Sequence, residues 1–584
     1  MPDRPQPIDC LFFFLKELEG QAFKEYQRLQ GAVFCHDRYQ LRFVHIQGSP
    51  GAFPASVCHL RLKIAGLELD SRSLVNGPRR LATADYLLRA FRDAVAVHAR
   101  QNRGARGSGS FQPLSLPPQV LKRNAIKFDP TYVRIAFHVS LPGSTDNRIL
   151  GHQAAVMFSR EMAAIVAALK TAVARSAQLK EHCDVVEDML DLQGRLDRYG
   201  LIAFVADGAI LPRASGVSQA PLKEGAVPLR APDPMAVEVE FPIAGRVRGL
   251  GIRSGVNVLI GAGFHGKSTL LDALAKGVYP HIPGDGRERV VTHPAAAFVC
   301  AENGRAISGL DISGFIDNLP GGMDATQFRT QNASGSTSEA AAIIEAVLAG
   351  AKLLLVDEDS SALNFLIKDH HMRSLITKDT ITPLFDRVGE LFQRFGVSSL
   401  IVVGGSSEYL GVAQHVIGMH NYLPVSMTDR VRRMKLPEPR TPASPLMLTD
   451  RRRVLTDNFD PAYRAQRLGK SIPVRIKPLR LKELVLEYGD TQLDLTRLVA
   501  LVDPCQVLAV GYALLLARKM LKTRRRSPSE LAVAVCKRIE TKGLSILCGD
   551  ASGADFLACP RRLELAGAIN RIRNLKVELA DLKK

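Results

Sequence analysis

The chain has 584 residues, 46% hydrophobic and 23% charged, a composition that excludes a disordered or fibrous protein. Its 77 Lys and Arg against 58 Asp and Glu leave a formal charge of +19, which favours phosphate-rich partners, either nucleic acid or an anionic membrane surface. No run reaches the ~18 consecutive apolar residues of a spanning helix, so no membrane insertion is expected. Trp is absent and aromatics are only 6%, so a stacking-rich platform for single strands is not announced. The nine cysteines are scattered, with no CxxC pair. They read as reduced thiols in a reducing intracellular compartment rather than as a zinc ribbon or a disulfide scaffold. The first residues, Met1-Pro2-Asp3-Arg4-Pro5, lack a secretory pattern.

In chain order, Leu11–Leu29 reads as one amphipathic helix around Leu15, Leu18 and Phe23, and Tyr39–Ile46 and Val57–Ile64 alternate like strands. Arg103–Ser110 is basic and Gly-rich and is expected to be a solvated loop, with phosphate contact as the alternative. Val156–Leu179 reads as a strong helix. Residues 214–235, rich in Pro, Gly, Ser and Ala, read as a linker. Strand, Gly-rich turn and helix then alternate, the pattern of an α/β parallel sheet, up to a second soft joint at Leu436–Pro445. The expected division is an N-terminal α/β domain over 1–213, a linker over 214–235, a P-loop domain over 236–440 and a basic α+β domain over 441–584. The last of these holds 27 Lys and Arg against 15 Asp and Glu, so +12 of the +19. Within it, Arg518, Lys519, Lys522, Arg524, Arg525 and Arg526 form a run that is either a solvated helix end or an RNA contact.

Gly261-Ala262-Gly263-Phe264-His265-Gly266-Lys267-Ser268 fits G-x-x-x-x-G-K-[ST], follows the apolar strand Val256–Ile260 and opens a helix with Thr269. That context marks a phosphate-binding loop. Its glycines let backbone N–H groups converge on phosphates, and the helix start adds partial positive charge. Lys267 is expected on the β- and γ-phosphates of ATP or ADP, and the Ser268 hydroxyl on Mg2+. His265 is expected to meet phosphate through its backbone rather than as a catalytic imidazole. The apolar strand Leu353–Val356 ends in Asp357 and Glu358, suited to magnesium contact and to polarising an attacking water. Between these two motifs, Ala333-Ser334-Gly335-Ser336-Thr337-Ser338-Glu339 precedes a helix over Ala340–Leu348, with Ser336 and Glu339 at capping-box spacing. It is either a capped helix or a second phosphate-facing helix start. His370-His371 reads as a surface helix rather than a metal pair.

This arrangement resembles an ABC-type ATPase. Ser334-Gly335-Ser336 stands at the signature position and Ser361-Ala362-Leu363-Asn364 at the D-loop, with Asn364 in place of the usual Asp. Glu302 stands at the Q-loop position without being Gln, and Gly404-Gly405-Ser406 replaces the switch histidine. The resemblance is closer to the "predicted ATPase of the ABC class" branch, through His45-Ile46-Gln47-Gly48, Ala203–Arg213, Gly263–Thr269, Ala333–Ser338, Val402–Ser406 and Pro560–Glu564. That branch carries Gly-Gly-Ser where the histidine would be. The kinetoplastid mitochondrial RNA-editing members are similar to this chain.

The resemblance implies ATP hydrolysis with Glu358 and Lys267 catalytic. It implies nucleotide contacts from Gly261 to Thr269 and from Ser334, Gly335 and Ser336, and metal contacts from Ser268, Asp357 and Glu302. It also implies a head-to-tail homodimer that grips RNA within an RNA-editing or RNA-processing complex. The expected location is the mitochondrial matrix where the kinetoplastid resemblance holds and the cytoplasm otherwise. A nucleotide-gated RNA scaffold with little turnover is the alternative, favoured by Glu302 and the absent histidine.

Overall fold

The computed structural model describes residues 5–174, 176–368, 375, 379–436, 439–442, 444–448, 453–455, 475–476, 484–488, 491–547, 555–573 and 575–579. The chain divides into two compact units, Met1–Glu187 with Cys548–Ala558, and Asp188–Leu547 with Cys559–Lys584.

The first unit is built on strands β1 Gln6–Pro7, β2 Val33–Cys35, β3 Tyr39–His45, β4 Ser56–Lys63, β5 Ser110–Gln112, β6 Ile126–Phe128 and β7 Tyr132–Ser140. They run in the order β1-β2-β3-β4-β7-β5, with β6 also on β7. Strand alternation sorts the two faces. Leu41, Leu60 and Ile135 lie in register and are buried. Phe91 and Phe158 cover that face, against Phe137 at 5.1 Å and Phe43 at 5.3 Å between ring centroids. On the opposite face Arg61 and Arg134 are in register and line an open cavity of about 470 Å³ with Arg42, His59 and Lys127.

Three local expectations change here. The helix expected over Leu11–Leu29 stops at Glu17, because Gly20 turns left-handed (φ 73°), and a short 3-10 turn covers Phe23–Leu29. The helix from Val156 passes through a π-turn at Met157–Glu161, where the Ser159 hydroxyl donates to Ala155 O at 2.7 Å, and then runs as Met162–Ala174. The Arg103–Ser110 segment is packed at its two ends, with only Arg106 and Gly107 exposed between them. Arg103 pairs with Glu161 and donates to Gly109 O at 2.9 Å, and a Cβ on Gly104 would lie 2.4 Å from Gly143 O.

The second unit begins with β8 Leu201–Ala206, β9 Ala236–Phe241, β10 Gly245–Arg253, β11 Val256–Ile260, β12 Val290–Thr292 and β13 Ala296–Val299. It continues with β14 Ile307–Leu310, β15 Phe328–Thr330, β16 Leu353–Asp357, β17 Ser398–Val403, β18 His415–His420 and β19 Leu423–Ser426. One antiparallel sheet has the order β12-β8-β10-β9 and a second sheet β13-β16-β17-β11-β18-β19. The second is parallel except for β19, and β17 is buried along its whole length, as expected of a parallel sheet covered on both faces.

The boundary expected at 213 falls inside this unit, because β8 pairs with both β10 and β12. Residues 214–235 run along the same unit rather than away from it: Leu229 N donates to Ala209 O at 2.9 Å and Ala231 N to Asp207 Oδ1 at 2.7 Å. The C-terminal residues also join this unit, apart from Cys548–Ala558. Helices Pro504–Leu521, Pro528–Lys542 and Arg562–Asn570 pack together, and Arg562–Asn570 rests on the helix Gly335–Leu348. Among the described residues Pro504–Leu521 is the one helix long and apolar enough to cross a membrane, and 61% of it is buried within the chain.

Candidate functional site

β11 and β16 flank β17, with Ile260 paired to Val403 and Asp357 to Val402. The glycine loop and the acids therefore leave the sheet side by side at its carboxyl edge, where open α/β sheets bind ligands. The loop turns on positive φ at Gly261 (151°), Phe264 (64°) and Gly266 (96°). The helix Lys267–Lys276 starts from Gly266 with no side-chain cap, which leaves its first N–H groups for a ligand. Ala262, Gly263, Phe264 and Ser268 are exposed, while Gly261, His265, Gly266, Lys267 and Thr269 are half-buried. Lys267 Nζ donates to Gly261 O at 2.5 Å and to Ala262 O at 3.0 Å, so the ammonium curls over the loop. The His265 imidazole faces away from the loop's centre, its Nδ1 accepting from Asn421 N at 3.1 Å.

Burial pushes the Asp357 carboxyl up, and the neighbouring Asp359 and Glu358 charges push the same way, against the pull of Lys267. Three adjoining acids with one lysine make a site short of positive charge. A divalent cation held by Ser268 and Asp357 fits that deficit. The Glu358 carboxylate accepts from Gly404 N, and from Gly405 N at 3.2 Å. Two backbone N–H groups after β17, in the Gly404-Gly405-Ser406 segment that stands in place of the switch histidine, thus orient this acid.

The signature segment differs from its expected cap. The helix runs Gly335–Leu348 with Ser334 as N-cap, accepting from Thr337 N, so Ser336 and Glu339 do not form a capping box. Ser336 Oγ instead donates to Asn364 Oδ1 at 2.8 Å, and Glu339 Oε2 accepts from Ala362 N at 2.7 Å. Both side chains clasp the D-loop to the signature helix. Glu339 is fully buried, and burial raises its pKa to about 7 against the bonds from Ala362 and Ser361.

Glu302, expected at the metal, is already taken. Both of its oxygens accept from Arg571, Oε2 at 3.1 Å; Arg571 is buried and Glu302 half-buried. A guanidinium fork uses the carboxylate face that a cation would need. Burial alone would raise the Glu302 pKa, yet Arg571 and Arg305 bring it below the usual carboxylate range. Arg571 follows the helix Arg562–Asn570, and nothing in the local sequence marked it as the partner of a residue 269 positions away.

The basic run splits by role. Arg518 and Lys519 lie in the last turn of Pro504–Leu521, where cations oppose the helix dipole. Arg526 donates to Met520 O at 3.2 Å and to Arg524 O at 3.1 Å, closing that helix end. Lys522, Arg524 and Arg525 line an open cavity of about 660 Å³ together with Arg329 and Lys576, which the sequence did not single out. Glu578 is the acid among them and pairs with Arg525 at 2.5 Å. His370 and His371 lie outside the described residues.

Three family models match the chain. One described as the ABC ATPase P-loop domain covers residues 175–449, one described as ATPase of the ABC class N-terminal covers 9–171, and the MRB1590 C-terminal domain covers 481–578. Together they support an ABC-class ATPase with an MRB1590-like C-terminal part. An uncharacterized protein of Methanocaldococcus jannaschii, MJ1628, is 31% identical over 229 residues, 38% of this chain and 50% of that protein. The chain therefore spans about half the length of this curated relative. Among solved structures, the ADP conformation of MJ1267, an ATP-binding cassette of an ABC transporter, is 14% identical with a TM-score of 0.22. It is matched over 32% of this chain and 86% of its own. The cbiO1 protein of Clostridium perfringens, part of the cbiONQ transporter complex, is 13% identical with a TM-score of 0.25, over 40% of this chain and 91% of its own.

Proposed function

We propose that this ABC-class protein binds and hydrolyses ATP with magnesium, and that a nucleotide-dependent head-to-tail homodimer uses the cycle to grip RNA in mitochondrial RNA editing or processing. The observation that carries the enzymatic part is the convergence of Lys267, Asp357 and Glu358 at one edge of the parallel sheet. The RNA part is supported by the +19 charge and by the cavity lined by Lys522, Arg524 and Arg525.

In this reading the uncapped N–H groups of the helix Lys267–Lys276 and the Lys267 ammonium hold the β- and γ-phosphates. Ser268 and Asp357 would hold magnesium, which would supply positive charge to offset that of the phosphates. Glu358, held by the Gly404 and Gly405 amides, keeps lone pairs free to orient a water and accept its proton. The exposed Ser334 and the half-buried Gly335 meet the nucleotide held by the partner chain, which closes the dimer, while Ser336, expected beside them, is buried against Asn364 and braces the segment from within.

A nucleotide-gated RNA scaffold with little turnover is the competing reading, and the clasp on Glu358 favours it, because a clasped acid is less free to follow its water. Steady-state phosphate release decides between the two. Turnover that falls to background in Glu358→Gln while ATP still binds supports the enzyme. ATP binding without turnover in the unaltered protein supports the scaffold.

A further inference from the structure

The segment Gln331–Ser334 joins the end of β15 at Thr330 to the helix that begins at Gly335. Gln331, Asn332 and Ser334 are exposed, and Ala333 is the buried residue among the four. Burial therefore does little to fix this link, although it ends in the N-cap of the helix. Hydrogen bonds fix it instead. Ala333 N donates to Arg305 O at 2.9 Å, and Gly304 N donates to Ala333 O at 2.9 Å. The Arg573 guanidinium then spans both segments of this pair, donating from Nη1 to Gln331 O at 3.0 Å and from Nη2 to Gly304 O at 3.2 Å. Gln331 Nε2 donates in return to Arg573 O at 2.9 Å.

Arg573 differs from a solvated surface cation. Among the described residues no carboxylate pairs with it, and its fork goes to backbone carbonyls of two separate segments. Its own backbone is held on either side. Arg571 is buried, forks onto Glu302 and donates from Nη1 to Gly567 O at 2.9 Å. Leu575 is buried, and Val577 O accepts from Arg329 Nη2 at 2.8 Å. A planar guanidinium presented from a fixed backbone loses less freedom for each bond it makes than a flexible ammonium would. The segment it holds is tied in turn to the rest of the site: Glu302 N donates to Ser338 Oγ at 2.8 Å, and Ala301 N to Ser360 O at 3.1 Å.

We infer that Arg573 is a positioning residue, which holds Gln331–Ser334 in the shape that presents Ser334 to the nucleotide of a second copy of the chain. It acts through that segment and touches no nucleotide itself. A link ordered before contact spares the interface the entropy of ordering it. This inference rests on the dimer proposed above, and one series of proteins separates the two. Sedimentation of Glu358→Gln with Mg-ATP reads the dimer, and calorimetry with Mg-ADP, which lacks the γ-phosphate, reads the nucleotide site of the single chain. Adding Arg573→Ala is expected to weaken the trapped dimer about tenfold or more, the scale of two lost hydrogen bonds, and to leave ADP affinity unchanged. Arg573→Lys, which still donates to carbonyls, is expected to recover part of the loss. Gln331→Ala, which removes the return bond, is expected to weaken the dimer in the same direction. An undiminished trap in Arg573→Ala, an equal loss of ADP affinity, or no recovery in Arg573→Lys would overturn the positioning role. No trap in Glu358→Gln alone would overturn the dimer reading, and this inference with it.

Discussion

At the residue scale, Lys267 and Glu339 show two ways a charge is used. Lys267 curls over its own loop carbonyls and supplies the full positive charge that backbone N–H groups lack. Lys267→Ala is expected to weaken ATP binding by about 2 kcal/mol or more, the scale of lost charge-assisted bonds, read by calorimetry. Glu339 is buried between the signature helix and the D-loop, with its pKa raised from 4.5 to about 7. The folded state therefore holds a proton that the unfolded chain releases between those values. Stability falls as pH rises from about 4.5 through about 7, where the buried carboxyl must ionise. Glu339→Gln can still accept from Ala362 N and does not titrate. Its unfolding midpoint is expected to fall less over that window than that of the unaltered protein. Equal slopes in a pH series of thermal melts would count against this account.

At the element scale, the end of the helix Pro504–Leu521 divides six cations between holding the fold and facing solvent. Arg526 closes the helix carbonyls, whereas Lys522 and Arg524 are exposed in the basic cavity. Substitutions that test RNA binding therefore belong at Lys522 and Arg524. Each phosphate contact with a single strand contributes about −0.7 to the slope of log affinity against log salt. Lys522→Ala with Arg524→Ala is expected to flatten that slope by about 1.4 in a filter-binding series while leaving ATP affinity intact. An unaltered slope would place any RNA elsewhere. Arg526→Ala is expected to lower thermal stability instead.

At the scale of the whole molecule, the proposed dimer sets a signature helix from each chain against the partner's phosphate loop. Glu358→Gln with ATP and magnesium is expected to trap that dimer, because the nucleotide that closes the interface is no longer hydrolysed. Ser336 is buried against Asn364, so a block placed there would disturb the chain itself. Ser334 is exposed, and Ser334→Arg in the Glu358→Gln background is expected to abolish the trap. Sedimentation reads the outcome; a profile independent of nucleotide in both proteins would defeat the sandwich arrangement. As an N-cap, Ser334 also contributes about 1 kcal/mol to its helix, so a melt must show that the variant is folded.

Features carried by consecutive residues were legible in the sequence alone. The strand, glycine loop and helix around Lys267, the apolar strand ending at Asp357, and the alternation of β3 and β4 all report local backbone geometry and burial, which a short window encodes. Pairing across distance was not legible. Glu358 meets Gly404 and Gly405 more than forty residues on, and Glu302 meets Arg571 across 269. A carboxylate's neighbour list is set by which strands adjoin, not by its flanking residues. The division of the chain failed to show for the same reason. Residues 214–235 have the composition of a linker, but the strand before them finds its ladder partners after them. Composition reports how freely a segment bends; only the assembled sheet decides which strands its two ends join.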